Sequence, residues 1–165
     1  MRIVIDMDGV LTEGRYLPDP RTKLDYMTLA PYDADTAKYA QRIFEQHDCY
    51  IITGRSDTDA TATIIEWLAS VLQIRQCYVS IITNPNQGTS STEVGKWKYK
   101  LCKQLGCTLV FDDNPIVYTE QIPDGPKVYL IDNPSWEKNQ QAKFCYNRLS
   151  GWKEIFETIN NHSTH

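Results

Sequence analysis

Acidic residues follow two apolar runs of the chain. Asp6 ends the run R-I-V-I-D at residues 2–6, with Asp8 two positions later, and Asp112 and Asp113 follow T-L-V-F at residues 108–111. Four carboxylates in one cavity repel one another strongly unless a cation neutralises them. Oxygen ligands select a hard cation, and Mg²⁺ is the usual choice where phosphate is the substrate. The sequence therefore predicts a Mg²⁺ site formed by Asp6, Asp8, Asp112 and Asp113.

Groups suited to a phosphoryl group follow a third apolar run, C-Y-I-I-T at residues 49–53. Thr53 offers a hydroxyl, Gly54 is predicted to offer a backbone N–H at a helix N-terminus, and Arg55 follows them. A lysine, Lys96 or Lys98, would add a point charge. An aspartate in such a site can attack phosphorus and carry the phosphoryl group, while a second aspartate protonates the leaving oxygen and then activates water.

Each of these motifs also has an ordinary structural explanation. A D-x-D at a strand end can form a turn or a helix cap, and Thr53-Gly54 can be a strand-to-helix turn. Asp113-Asn114-Pro115 can cap a helix that has proline in its first turn. The motifs occur together and in order at the ends of predicted strands, and this combination favours a phosphoryl-transfer site.

The elements that must position these residues alternate along the chain. Apolar runs predict strands at residues 2–6, 49–53, 77–82, 108–111 and 127–131, and their continuity indicates burial on both faces of a parallel sheet. Apolar residues spaced by three and four predict helices at 33–47, 57–72, 92–105 and 152–159. The pattern predicts an α/β fold with a three-layer, doubly wound parallel sheet, in which ligands bind at the carboxyl ends of the strands.

Length and composition are typical of one soluble globular domain. The 165 residues are 41% hydrophobic and carry a net charge of −4, which argues against a non-specific nucleic-acid-binding surface. We expect a single domain at residues 1–160, a disordered tail at 161–165, and a loop or small flap over the site at residues 13–31. Five cysteines without metal-binding spacing suit a reducing cytoplasm, and we expect no membrane partner.

Three segments resemble the motifs of the haloacid dehalogenase superfamily: I-D-M-D-G-V-L-T at residues 5–12, I-I-T-G-R at 51–55 and F-D-D-N-P at 111–115. The resemblance implies a Rossmann-like fold of that type and a Mg²⁺-dependent phosphatase. It implies that Asp6 is the nucleophile and Asp8 the acid and base. Thr53, with Gly54 and Arg55, would bind phosphate. Asp6, the backbone carbonyl of Asp8, and Asp113 would hold Mg²⁺, with Asp112 in support. An aspartate two residues after the nucleophile matches the phosphatases of the superfamily and not its dehalogenases.

The segment K-W-K at residues 96–98 resembles the aromatic-lysine pair in the polynucleotide 3′-phosphatase domains of phage end-healing enzymes. This resemblance selects Lys98 as the catalytic lysine. Trp97 is predicted to lie on a buried helix stripe with Val94, Leu101 and Leu105. Lys96 remains the alternative.

The substrate is predicted from two further features. The stretches after residue 12 and between Arg55 and Lys96 are short, which implies a minimal cap, and Y-N-R-L-S-G-W-K-E-I at 146–155 is similar to the tail of small 5′-deoxyribonucleotidases. We expect a nucleotide or a polynucleotide-end phosphate as the substrate, with oligomerisation left open. The alternatives are a sugar phosphate and, in a different class, an inactive phosphate-binding or receiver-like protein. The order of the lysine and the second acidic pair disfavours a receiver.

Overall fold

Six parallel strands form one sheet in the order β3-β2-β1-β4-β5-β6. The computed structural model describes residues 1–14, 26–56, 58–86, 88–142 and 147–163. The strands are β1 (Arg2–Ile5), β2 (Asp48–Thr53), β3 (Val79–Thr83), β4 (Leu109–Asp112), β5 (Lys127–Ile131) and β6 (Arg148–Leu149). The five predicted strands are confirmed with small shifts at their ends. β6 was not predicted, because two residues carry no pattern and only pairing with β5 makes them a strand.

Helices flank the sheet, which makes this a Rossmann-like α/β fold. They are α1 (Thr36–Gln46), α2 (Ala60–Trp67), α3 (Ser91–Gln104), α4 (Pro115–Thr119), α5 (Glu137–Gln141) and α6 (Trp152–Ser163). A π-helical turn at Leu68–Leu72 continues α2, and single 3-10 turns lie at Tyr26–Thr28 and Gln76–Tyr78. α4 and α5 have five residues each, too few for a periodic signal.

The central strands β1 and β4 are buried on both faces, except for Arg2 at the start of β1. Alternate residues of β1 separate into two hydrophobic clusters, with Ile3 and Ile5 in one and Val4 in the other. Neighbouring β4 follows the same alternation, with Phe111 in the first cluster and Val110 in the second. Two-sided burial explains the continuous apolar runs of the sequence.

The predicted disordered tail needs correction, and most of the predicted flap lies outside the described residues. α6 continues to Ser163, so residues 161–163 are helical and not part of a disordered tail. His162 Nε2 lies 2.9 Å from the Tyr129 hydroxyl, which ties this last turn to β5. Most of the predicted flap, residues 15–25, lies outside the described residues.

The buried face of α3 differs from the predicted one. Its buried residues are Gly95, Lys98, Tyr99 and Cys102, whereas the predicted stripe of Val94, Trp97, Leu101 and Leu105 is only half-buried. A side chain at Gly95 would collide with Ile116 of α4, so this glycine lets the two helices pack closely. That close contact turns the polar Lys98 inward, which hydrophobic periodicity does not predict.

Trp152 connects the last helix to the turn after β1. Its indole is fully buried, and Nε1 donates a hydrogen bond to the Val10 carbonyl at 2.7 Å. Its backbone N–H donates to Asp33 Oδ2 at 2.9 Å, just before α1. α6 therefore braces the turn that follows Asp6.

Cysteine burial is mixed. Cys49, Cys102 and Cys107 are buried thiols, and Cys77 is exposed.

Among the helices that the structure describes, none is both long and apolar enough to cross a bilayer.

We expect Trp152→Phe to lower the free energy of unfolding by about 1–3 kcal/mol, because it leaves the buried Val10 carbonyl without its donor and opens a small gap. Trp97→Phe, which alters a half-buried tryptophan, is the control and should cost less. Urea denaturation followed by circular dichroism measures both. Equal losses in the two variants would contradict a special role for Trp152.

Candidate metal and phosphate site

The carboxyl ends of three adjacent strands meet at one edge of the sheet. β1 pairs with β2 on one side and β4 on the other, with Ile5 level with both Ile51 and Phe111. The backbone N–H of Asp6 continues the pairing by donating to the Phe111 carbonyl at 2.9 Å. Parallel pairing therefore brings the predicted acidic residues and the Thr53 segment to the same edge.

Three aspartates form a buried cluster there. One carboxylate oxygen from each of Asp6, Asp112 and Asp113 lies within 4.8 Å of the others. These are three of the four predicted Mg²⁺ ligands. The Asp8 side chain is not in the cluster, because its carboxylate pairs with Arg55.

Lys98 lies between two of these carboxylates. Its Nζ is 2.8 Å from Asp6 Oδ1 and 2.8 Å from Asp112 Oδ2, and all three side chains are buried. Lys96 is exposed on the other side of α3. The structure thus places Lys98, which the K-W-K resemblance selected, at the site. Trp97 packs against the core as predicted but is only half-buried.

Asp112 is fully engaged by protein donors, whereas Asp6 is not. Asp112 Oδ2 accepts from Lys98, and Oδ1 accepts from the Asn114 backbone N–H at 2.8 Å. Asp6 Oδ1 is buried and is paired with Lys98 Nζ at 2.8 Å, and no hydrogen bond from the described residues reaches Asp6 Oδ2. Asp112 therefore supports Lys98 and the following loop, and Asp6 keeps an oxygen available for a further partner.

Burial makes the negative charges of the cluster costly. Burial raises the pKa of Asp6 well above its ordinary value, and repulsion from Asp112 raises it further. Lys98 opposes this shift but does not outweigh it. Burial and Asp112 also raise the pKa of Asp113 to about 7. For Lys98, burial lowers the pKa, but the carboxylates of Asp112 and Asp6 outweigh it and hold the pKa above its ordinary value. One ammonium group does not balance three carboxylates, and the all-oxygen donor set fits a hard divalent cation.

Arg55 and Asp8 form a bidentate salt bridge at the mouth of the site. Arg55 Nε donates to Asp8 Oδ2 at 2.7 Å, and Nη2 donates to Asp8 Oδ1. The Arg55 side chain is 6% exposed and that of Asp8 40% exposed, so Asp8 is held in place while facing solvent.

The Thr53-Gly54 segment differs in one respect from the prediction. Gly54 does not lie at a helix N-terminus, since α2 begins six residues later at Ala60. The Thr53 hydroxyl is buried and accepts from the Arg55 backbone N–H at 3.3 Å, so it shapes the turn. A side chain at Gly54 would collide with Val94, so this glycine permits the turn to approach α3.

These groups line a cavity of about 260 Å³. Residues from the loops after β1, β2, β3, β4 and β5 meet there with the N-terminal half of α3. The lining consists of Asp6, Asp8, Gly54, Arg55, Thr89, Ser91, Val94, Lys98, Asp113, Asn114 and Trp136.

Two buried asparagines hold Asp113 and escaped the sequence prediction. Asn133 Nδ2 donates to Asp113 Oδ2 at 2.6 Å, and Asn139 Nδ2 donates to the Asp113 carbonyl at 2.6 Å. Asn139 Oδ1 in turn accepts from the Asn133 backbone N–H at 3.0 Å and from Arg148 Nη2 at 2.7 Å. A signal was present: Asp132-Asn133-Pro134 after β5 repeats Asp113-Asn114-Pro115 after β4.

Gly9 completes the support of Asp113. Its φ of +77° is a conformation that side chains rarely adopt, and a Cβ there would collide with Asp113 Oδ2 and Asn133 Nδ2. The G of D-M-D-G is therefore required by the close approach of two loops.

Comparison with protein-family models gives no match, and comparison with curated proteins gives none either.

The carboxylate cluster predicts stabilisation by Mg²⁺. At a concentration a hundredfold above Kd, we expect the Tm to rise by about 5–10 °C, because bound metal relieves the repulsion among Asp6, Asp112 and Asp113. Asp113→Asn should lose most of this rise, and Asp124→Asn, which alters an exposed acid, should keep it. Differential scanning calorimetry with and without EDTA makes the measurement. An unchanged Tm in the wild type would contradict the metal site.

Proposed function

We propose that this chain is a Mg²⁺-dependent phosphomonoester hydrolase of the haloacid dehalogenase type, acting through a phosphorylated Asp6. The observation that carries the proposal is the contact of Lys98 with both Asp6 and Asp112 inside a buried aspartate cluster. A purely structural ion pair would not need two further buried acids beside it. The position of the cluster, at the carboxyl edge of a sheet whose order reverses about β1, supports a ligand site.

Three groups would hold the metal: the carboxylates of Asp6 and Asp113 and the backbone carbonyl of Asp8. When bound, Mg²⁺ would neutralise charge on the phosphoryl oxygens and on the cluster. Asn133 and Asn139 would hold Asp113 in position for this, since they bind its side chain and its carbonyl.

Asp6 would act as the nucleophile. Its carboxylate oxygen attacks phosphorus, the bond from phosphorus to the leaving oxygen breaks, and an acyl phosphate forms on Asp6. Lys98 stabilises the negative charge on the carboxylate and the phosphoryl group. Water then attacks phosphorus, which releases inorganic phosphate and regenerates Asp6.

Asp8 would move the protons of both steps. It gives a proton to the leaving oxygen in the first step and takes one from the attacking water in the second. Arg55 was predicted to bind phosphate, but its bonds to Asp8 support a different role, in which it orients the Asp8 carboxyl. Thr53 and Gly54 would shape the turn on the phosphate side of the cavity.

A nucleotide or a polynucleotide-end phosphate is the proposed substrate class. The buried position of Lys98 agrees with the K-W-K resemblance to polynucleotide 3′-phosphatases. In the described residues 58–86, α2 and β3 belong to the core and not to an inserted cap, which agrees with an open site.

Asp6→Asn tests the covalent mechanism. We expect a loss of kcat of at least about a thousandfold with the fold intact, because an amide is isosteric but a far poorer nucleophile. Steady-state release of inorganic phosphate with Mg²⁺ measures it, with EDTA as a second condition that should stop turnover. Asp124→Asn is the matched control. Near wild-type turnover by Asp6→Asn would rule out the aspartyl-phosphate route.

Lys98→Met and Lys96→Met separate the two lysines. Methionine keeps the unbranched stem and removes the ammonium, so we expect Lys98→Met to lower kcat by roughly two orders of magnitude or more. Lys96→Met, on the exposed side of α3, should change kcat less than twofold. Kinetics on the best substrate, with circular dichroism to check folding, decides between them. The reverse ranking would refute the assignment of Lys98.

A further inference from the structure

A second cavity adjoins the aspartate site. Its volume is about 330 Å³, and it shares Ser91, Asn114 and Trp136 with the lining of the first. The remaining lining residues are Thr92, Pro115, Ile116, Lys138, Gln141 and Ala142. The two cavities are therefore neighbours across these three residues, and the candidate metal and phosphate groups line the first.

The shared wall between the cavities is fixed by hydrogen bonds. Asn114 is buried, its Nδ2 donates to the Ser91 carbonyl at 2.8 Å, and its Oδ1 accepts from the Ile116 N–H at 3.0 Å. Trp136 donates its backbone N–H to the Asn133 carbonyl at 3.1 Å. Its indole is therefore carried by the same loop whose Asn133 holds Asp113.

The chemistry of the second cavity differs from that of the first. Pro115, Ile116, Ala142 and the half-buried indole of Trp136 are apolar, and the lining that the structure describes contains no carboxylate. Lys138 lies at the edge, with its Nζ 3.4 Å from Ser91 Oγ. Such a cavity suits a flat apolar ring better than a polyhydroxylated sugar, and it adds a positive charge for an anionic group.

We propose that the second cavity binds the leaving group of the substrate, and that this group is a nucleoside whose base stacks on Trp136. The inference rests on the proposed phosphatase function and names the substrate class: nucleoside phosphates, free or at a strand end. Every base has a π-face, so stacking on one indole accepts different bases without reading their sequence. Sugar phosphates without a base would leave the cavity empty.

Matched pairs of substrates test this assignment. Nucleoside 5′- and 3′-monophosphates are compared with the 5- and 3-phosphates of ribose, which have the same leaving oxygens without the base. We expect kcat/KM to be at least about tenfold higher for the better nucleotide than for its ribose counterpart. A dinucleotide with a terminal phosphate is the third arm, and its rate relative to the mononucleotide identifies strand ends or free nucleotides as the source.

Trp136→Ala tests the role of the indole. It should bring the nucleotide-to-ribose-phosphate ratio of kcat/KM, expected at about tenfold or more in the wild type, close to one, and Trp136→Phe should retain most of the ratio because phenylalanine still stacks. Trp97→Ala, which removes another half-buried indole outside both cavities, should leave the ratio unchanged. Equal rates with and without a base in the wild type, or an unchanged ratio in Trp136→Ala, would overturn the assignment while leaving the phosphatase intact.

Binding to the Asp6→Asn variant is the readout that does not depend on turnover. In isothermal titration with a nucleoside monophosphate and Mg²⁺, adding Trp136→Ala should raise the Kd by about tenfold or more. Absence of turnover on every phosphomonoester would overturn the phosphatase function, and the titration would still show whether the second cavity binds a nucleoside. Equal Kd values with and without Trp136→Ala would reject nucleoside binding in that cavity.

Discussion

The repulsion among three buried carboxylates, opposed by one buried ammonium, is the constraint on which the site depends. Asp6, Asp112 and Asp113 lie within 4.8 Å of one another, and Lys98 contacts two of them. Buried acids of this kind are stable as anions only when paired or bound to metal. The surrounding loops therefore have to hold each carboxylate firmly, and the hydrogen bonds around the site do this.

The third helix shows how local and tertiary requirements combine at one element. Ser90 and Glu93 form a capping box that sets where α3 begins, and Gly95 then allows close packing against α4. These two features determine the rotation of the helix, and the rotation brings Lys98 to the aspartates. Local hydrogen bonds thus stabilise the start of the helix, and packing at Gly95 places the charge three residues beyond it.

The loop after β5 links the two halves of the candidate active site. Asn133 holds the Asp113 carboxylate, Asn139 holds the Asp113 backbone, and Trp136 between them forms the wall shared by both cavities. A shift of this loop would therefore move a carboxylate of the aspartate cluster and the wall of the second cavity together. Asn133, which holds Asp113, and Trp136, which is proposed to select the substrate, are three residues apart on this loop.

The sequence by itself determined the parallel sheet, because strands buried on both faces must be continuously apolar, and it determined which acids end those strands. It could not determine the inward face of α3, since Lys98 is buried by ion pairs and by the glycine contact with Ile116, neither of which has a hydrophobic period. It also missed β6, α5 and the roles of Asn133 and Asn139. Those features depend on contacts between segments far apart in the chain, such as Arg148 on Asn139 and Asn133 on Asp113. Only the tertiary structure decides such contacts. The repeated D-N-P marks Asn133 as a loop residue after a strand, but the partner of a buried amide is set by which segments lie against it.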